Sequence, residues 1–211
     1  MFVVNPYRFS TSTAEFEKTI GTGTILQEEY PVYFYYEYGY FAHIYTKDEI
    51  GIGAPVWITG VRFDMVGDNK DEAMTNQTLK LGQVNSNVFA TNVRNNMVQD
   101  PSAGWVCSNL TTVKSNFTFS VPKDNDGWIE IDFDTHFQFN PLISEGHLLL
   151  LWENRHDAYF TVLTRPAARS STSSSLFRSY YNYQDITMPP ATDYGTRDST
   201  GRPNIQLLMN F

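Results

Sequence analysis

The sequence predicts an all-β protein, a jelly-roll-like antiparallel sandwich of about eight to ten strands. Three observations predict it. Residues 128–135, WIEIDFDT, alternate, with Trp128, Glu130, Asp132 and Asp134 on one face and Ile129, Ile131, Phe133 and Thr135 on the other, the mark of a half-buried strand. Leu148 to Trp152 is a continuous apolar run closed by Glu153, Asn154 and Arg155. It is too short to cross a membrane and reads as a strand buried on both faces. Short strand-like segments separated by turn residues recur along the rest of the chain.

The bulk composition agrees. At 211 residues the chain fits one domain, since all-β sandwiches commonly reach about 200–250 residues. Thirteen Tyr and 15 Phe favour strands over helices. The net charge of −8 makes nucleic acid or an anionic membrane surface an unsuitable main partner. With a single cysteine, Cys107, no internal disulfide can form.

Residues 1–24 read as an N-terminal arm that docks on the domain or a neighbouring subunit. Val3, Val4, Asn5, Pro6, Tyr7, Arg8 and Phe9 are its candidate assembly contacts. The arm has no basic segment before an apolar core, so the expectation is synthesis in the cytoplasm without a signal peptide. Residues 25–211 read as the single sandwich domain.

Residues 25–45 are dense in aromatics, and Pro31 places their start in a loop or on an edge. Two readings fit. Either the rings are buried with their hydroxyls in water, or they form a platform for the apolar faces of sugars. On the second reading Tyr35, Tyr36, Tyr38 and Tyr40 are glycan contacts, joined by the loop aromatics Trp105 and Tyr159. Thr46 and Glu49 form a capping-box pattern, so one helical turn ends at Gly51.

Val56–Val66 is a strand expected to place Trp57, Thr59, Val61, Phe63 and Met65 on one face. Leu79–Val84 alternates. Residues 85–110 read as a long loop, and Leu110–Val121 as one strand or two. After Arg155 come a strand over Ala158–Thr164, a mobile Ser-rich stretch over 166–175, a strand over Leu176–Tyr183 and an irregular return. The alternating IQLLMNF closes the chain.

No catalytic constellation emerges. The G-x-S-x-G elbow is absent, and His43, His136, His147 and His156 are scattered without metal-ligand spacing. His156-Asp157 reads as a polar loop rather than a base and its orienting acid. Glu130 and Asp132 are close enough in sequence for glycosidase chemistry, but a solvated strand face gives the same pattern. The turns at 67–72 and 123–128 carry hard oxygen ligands without completing a calcium loop, which leaves a structural Ca²⁺ open and implies no other cofactor. The sequons at Asn76, Asn109 and Asn116 carry no weight without a secretory route.

Several phrases occur in a characteristic order: GTGT at 21–24, HIYTKDEIG at 43–51, ITGVRFDM at 58–65, NQTLKLGQV at 76–84, FTFS at 117–120, GWIEIDFDTHFQFN at 127–140, HLLLLWENR at 147–155 and RPNIQLLMNF at 202–211. This order resembles a β-sandwich module of secreted and surface proteins of Bacteroidetes-type bacteria, usually called adhesion-like or carbohydrate-binding-like. The opening NPYRF is similar to the start of many tailed-phage structural proteins. Together the resemblances imply a stand-alone virion protein: a capsid decoration, head fibre or tail component. Its expected partners are other virion proteins, further copies of itself and host-surface glycans. The alternative is a carbohydrate-binding module of a bacterial surface or secreted protein.

Overall fold

The computed structural model describes residues 14–91, 93–97, 105–158, 165–172 and 176–211. In chain order the strands are β1 (Phe16–Ile20), β2 (Ile25–Gln27), β3 (Tyr38–Tyr45), β4 (Val56–Val66), β5 (Glu72–Val84), β6 (Cys107–Val121), β7 (Asp126–Phe139), β8 (His147–Arg155), β9 (Ala167–Ser171), β10 (Ser179–Gln184), β11 (Thr196–Asp198), β12 (Arg202–Pro203) and β13 (Ile205–Asn210). One turn of helix, α1 (Lys47–Ile50), follows β3. Among the described residues this makes thirteen strands rather than the expected eight to ten. The excess lies mostly in short pieces, β2, β11 and β12, which at two or three residues are too short to carry an alternation.

Two antiparallel sheets form the sandwich. The first runs β1-β13-β4-β9-β12, with β7 also paired to β4 and β2 to β9. The second runs β11-β10-β3-β8-β5-β6. The chain passes back and forth between them: β4 lies in the first sheet, β5 and β6 in the second, β7 in the first and β8 in the second. The N-terminal region is not wholly an arm, because Phe16–Ile20 pairs with Ile205–Met209 as an edge strand. Residues 1–13, with the proposed contacts Val3 to Phe9, lie outside the described residues, as do Tyr159 and most of the strand expected over Ala158–Thr164.

The main core fills the space between the sheets. Ile58, Val61, Phe63, Ile131, Phe133 and Leu207 meet Leu79, Leu81, Phe119, Leu148, Leu150 and Trp152. Trp152 is fully buried, with its ring edge-on to Phe63 and Phe119 at 5.6 and 4.9 Å. A second cluster lies on the far side of the second sheet. There Tyr40, Ala42, Ile44, Leu149 and Leu151 are covered by Phe89, Val93, Met97 and Trp105. The connection between β5 and β6 is therefore a third layer. This explains the unbroken run Leu148–Trp152: alternate residues face two different cores.

Bulges shape the long strands. In the β5–β6 pairing the register shifts around Asn76, Asn109 and Asn116, all with φ of 51–56°. Asn tolerates this left-handed conformation better than most residues, so the three sequons have a structural reason to be where they are. In β4 a bulge falls at Thr59: Ile58 pairs with Met209 and Gly60 with Leu208. The extra residue inverts the face, which corrects the sequence expectation. Trp57 points out at 42% exposure while Val61, Phe63 and Met65 point in.

Residues 166–175 are likewise corrected in part, since Ala167–Ser171 is strand β9. Its Ser171 accepts hydrogen bonds from the Thr22 and Gly23 amides at 3.0 and 2.9 Å. Asn204 Nδ2 donates to the Gly23 carbonyl at 2.7 Å. The GTGT phrase near one end of the chain and RPN near the other are thus one structural joint. The helical turn is as expected: Thr46 and Glu49 cap each other reciprocally, and Gly51 ends it with φ 68°.

Candidate functional site

With the outer face of the second sheet covered by the loop layer, the open sheet surface among the described residues is the outer face of the first. Its residues alternate outward as the sequence predicts: Trp128, Glu130, Asp132 and Asp134 are all exposed. The alternation then fails, because Thr135 and His136 are exposed as well. Opposite the single bulged Thr59 of β4, four residues of β7 (Phe133 to His136) have no ladder partner. Ile58 pairs with Phe137 and Gly60 with Asp132. Thr59 turns its hydroxyl to the Leu208 carbonyl at 3.2 Å.

A groove opens at this double irregularity. One hollow of about 560 Å³ lies over Thr59, Asp132, Phe133, His136 and Leu208, and is walled by Glu15, Glu17, Arg62 and Glu130. A second, about 430 Å³, lies between Trp57, Asp134, His136, Asn210 and Phe211. His136 borders both. Phe211 is 65% exposed and stacks on Phe16 with centroids 5.0 Å apart. Bulge and hollow are invisible in the periodicity, so Trp57, Arg62, His136 and Phe211 were not among the expected contacts. The one signal in the sequence that could have found them is the polar Asp134-Thr135-His136 run, which follows the alternating residues 128–133.

Arg62 organises the charges of the groove. Its Nε donates to Glu130 and its Nη1 to Glu17, and the same Nη1 reaches Gln206 Oε1 at 3.2 Å. The hydrogen bonds to Glu130 and Glu17 raise the guanidinium pKa further above its ordinary value. Nearby, Lys114 donates to Asp134 at 2.6 Å. Glu130 is therefore occupied as an ion-pair acceptor, whereas Asp132 and Glu15 take no ion pair among the described residues. Hydroxyl-rich ligands suit such a surface: carboxylates and Asn210 offer hydrogen bonds, and Trp57 and Phe211 offer apolar faces.

The aromatic tract packs differently from the platform reading. Tyr36 stacks on Tyr183 at 4.2 Å, and Tyr183 stacks on Tyr181 at 5.2 Å. The guanidinium of Arg165 lies 4.1 Å from the centre of the Tyr35 ring. Tyr35, Tyr36 and Tyr38 are half-buried. Tyr38 donates to Asp157 Oδ1 at 2.6 Å. Packing on Tyr183 covers one face of Tyr36, and Arg165 covers one face of Tyr35. Tyr40 and Trp105 are 4% and 2% exposed, inside the second core. For these two the sugar-contact expectation is corrected: the loop layer buries them.

The remaining chemistry-bearing groups have structural occupations. His43 and Ser179 approach to 3.0 Å, but both are fully buried, so no substrate reaches them. His156 Nδ1 accepts from the Thr75 amide at 2.9 Å. Burial pushes the Cys107 thiol up to about 12, which suppresses the reactive thiolate. At the two acidic turns, Asp71 accepts from the Lys123 amide at 2.7 Å and the Asp68 carbonyl accepts from Asp124 at 2.8 Å, so the turns latch to each other. Among the described residues no group of three or more His, Cys, Asp or Glu side chains is placed to hold a metal ion.

The fold and the groove together define an antiparallel β-sandwich with one open, acidic and aromatic-edged face. No protein-family model matches the chain, and no curated protein matches it.

Proposed function

We propose that this protein is a non-enzymatic structural appendage of a bacteriophage virion, a capsid decoration, head fibre or tail component, whose open groove binds host-surface glycans. The observation that carries the binding half is the placement of two exposed aromatic rings, Trp57 and Phe211, at one hollow with Asp134, His136 and Asn210. Exposed aromatic surface is costly to leave in water, and at a polar-rimmed hollow it marks a binding site. Sugars present an apolar face for the rings and hydroxyls for the carboxylates and amides around them. The appendage half is supported by the resemblances of the sequence, NPYRF among them. Further copies of the chain and other virion proteins are its partners in this reading.

The same groove would serve a carbohydrate-binding module of a bacterial surface or secreted protein, and the two readings differ only in where the sandwich is displayed. Quantitative mass spectrometry of purified particles, with a glycan array probed by the wild type and Trp57→Ala, separates them. A fixed copy number per particle, with glycan signals lost in the variant, is the expected result. Absence from particles sinks the virion assignment, and an array blank for the wild type sinks the glycan assignment.

A further inference from the structure

We infer that the groove selects an amino-bearing saccharide, a hexosamine unit whose free amine is protonated, over acidic and purely neutral glycans. This deepens the glycan reading above and rests on it. The walls of the larger hollow carry four carboxylates, Glu15, Glu17, Glu130 and Asp132, against one guanidinium, Arg62, a formal balance of −3 from these five groups. Arg62 is already engaged by Glu17, Glu130 and Gln206. Among the described residues no free Lys or Arg lines the hollow to receive the carboxylate of an acidic sugar.

In the adjoining hollow the one side-chain carboxylate, Asp134, is paired with Lys114, so the acidic excess lies in the larger hollow. A uronate or sialate would enter a site that repels it. An ammonium group finds the opposite. Among the described residues Asp132 is exposed and without an ion pair, and Glu15, beside Phe16, is in the same state. Trp57 and Phe211 add ring faces that attract a cation as well as a sugar face. Charge complementarity of this kind raises association rates and rejects ligands of the wrong sign.

The test is calorimetric titration of the full chain with a glucosamine tetrasaccharide bearing free amines, its fully N-acetylated counterpart and a uronate oligosaccharide. It is run at mildly acidic pH, where the amines are protonated, at low and high salt. The amino form should bind about tenfold more tightly than the acetylated form, and the margin should shrink as salt rises. Asp132→Asn, a change at an exposed side chain, should remove most of that margin while leaving the thermal midpoint in place. Equal or tighter binding of the acetylated or uronate sugar overturns the inference and leaves the glycan reading standing. So does an amine preference untouched by Asp132→Asn. Failure of all three sugars to bind overturns the glycan reading itself.

Discussion

The indole Nε1 of Trp152 donates to Gln77 Oε1 at 2.6 Å, in the centre of the sandwich where neither side chain meets solvent. Gln77 in turn donates to Asn154 Oδ1 at 2.7 Å, and Asn154 donates to the Tyr36 carbonyl at 2.8 Å. One glutamine thus satisfies the largest core side chain and, through Asn154, ties the aromatic tract to β8. Gln77→Leu keeps the volume but leaves the Trp152 N–H unpaired. We expect a loss of about 2–4 kcal/mol, since each orphaned buried group costs about 1–3. Urea denaturation of the variant measures it, and an unchanged midpoint would contradict this account.

Gly23 is a second fixed point. A Cβ built there would lie 2.1 Å from the Ser170 carbonyl oxygen and 2.6 Å from the Ser171 Cα, both backbone atoms that cannot swing aside. Gly23→Ala should therefore break the joint between GTGT and β9 and lower stability by about 2–3 kcal/mol. Ser171→Ala keeps the close approach and loses only hydrogen bonds, so it should cost about 1 kcal/mol. A calorimetric scan that ranked the two variants in the reverse order would show that the tight approach is not what matters.

Trp57 projects from the outer face and is not part of either core. Trp57→Ala should leave the thermal midpoint within about 2 °C, as exposed substitutions away from special features usually change stability by no more than about 0.5 kcal/mol. Glycan binding, by contrast, should fall at least about tenfold. Phe211→Ala should follow it more weakly. If Trp57→Ala unfolded the protein, Trp57 would have a packing role rather than a recognition one.

Acid should destabilise this fold before its carboxylates titrate. His43 is fully buried, with Ser179 at its Nδ1 and the Tyr30 ring edge-on at 5.0 Å. Burial lowers its pKa from 6.5 to about 3, with Arg202 adding repulsion, while the Pro31 backbone and Asp198 pull the other way. A histidine whose pKa is depressed on folding binds its proton more readily when unfolded. Its contribution is complete above pH 6.5 and is lost as the pH falls from there towards about 3. Glu49 follows at lower pH. Burial would raise it, but hydrogen bonds from Arg202 and the Thr46 cap hold it at about 2, so its share is lost between 4.5 and 2.

Denaturation midpoints should therefore drop between neutral pH and about 5, and His43→Asn should flatten that drop. It should not abolish it, because partial burial also lowers His147 and His156. A variant with the full wild-type slope would remove His43 from this role.

Much of the architecture was legible in the sequence because it rests on short-range patterns. The alternation of Ile129, Ile131 and Phe133 is a strand with one wet face, and Leu148–Trp152 is a strand with none. Thr46 and Glu49 start a helical turn by contacts three residues apart, and Gly51 stops it. What periodicity does not encode is where it slips. The bulge at Thr59 depends on how β4 meets both β13 and β7, and it turns Trp57 outward. Nor does composition say which aromatics lie beneath a loop. Tyr40 and Trp105 were expected to meet sugars, and the connection after β5 folds over them instead.

The class of fold follows from the chain alone, because the hydrophobic pattern of each strand is a local property that survives any pairing. The groove does not, and it arises only once the strands are paired. Among the described residues an open face exists where one sheet is left uncovered, and a groove exists where two irregularities on neighbouring strands coincide. Both are relations between segments far apart in the chain, Thr59 with Leu208 and with Phe133–His136.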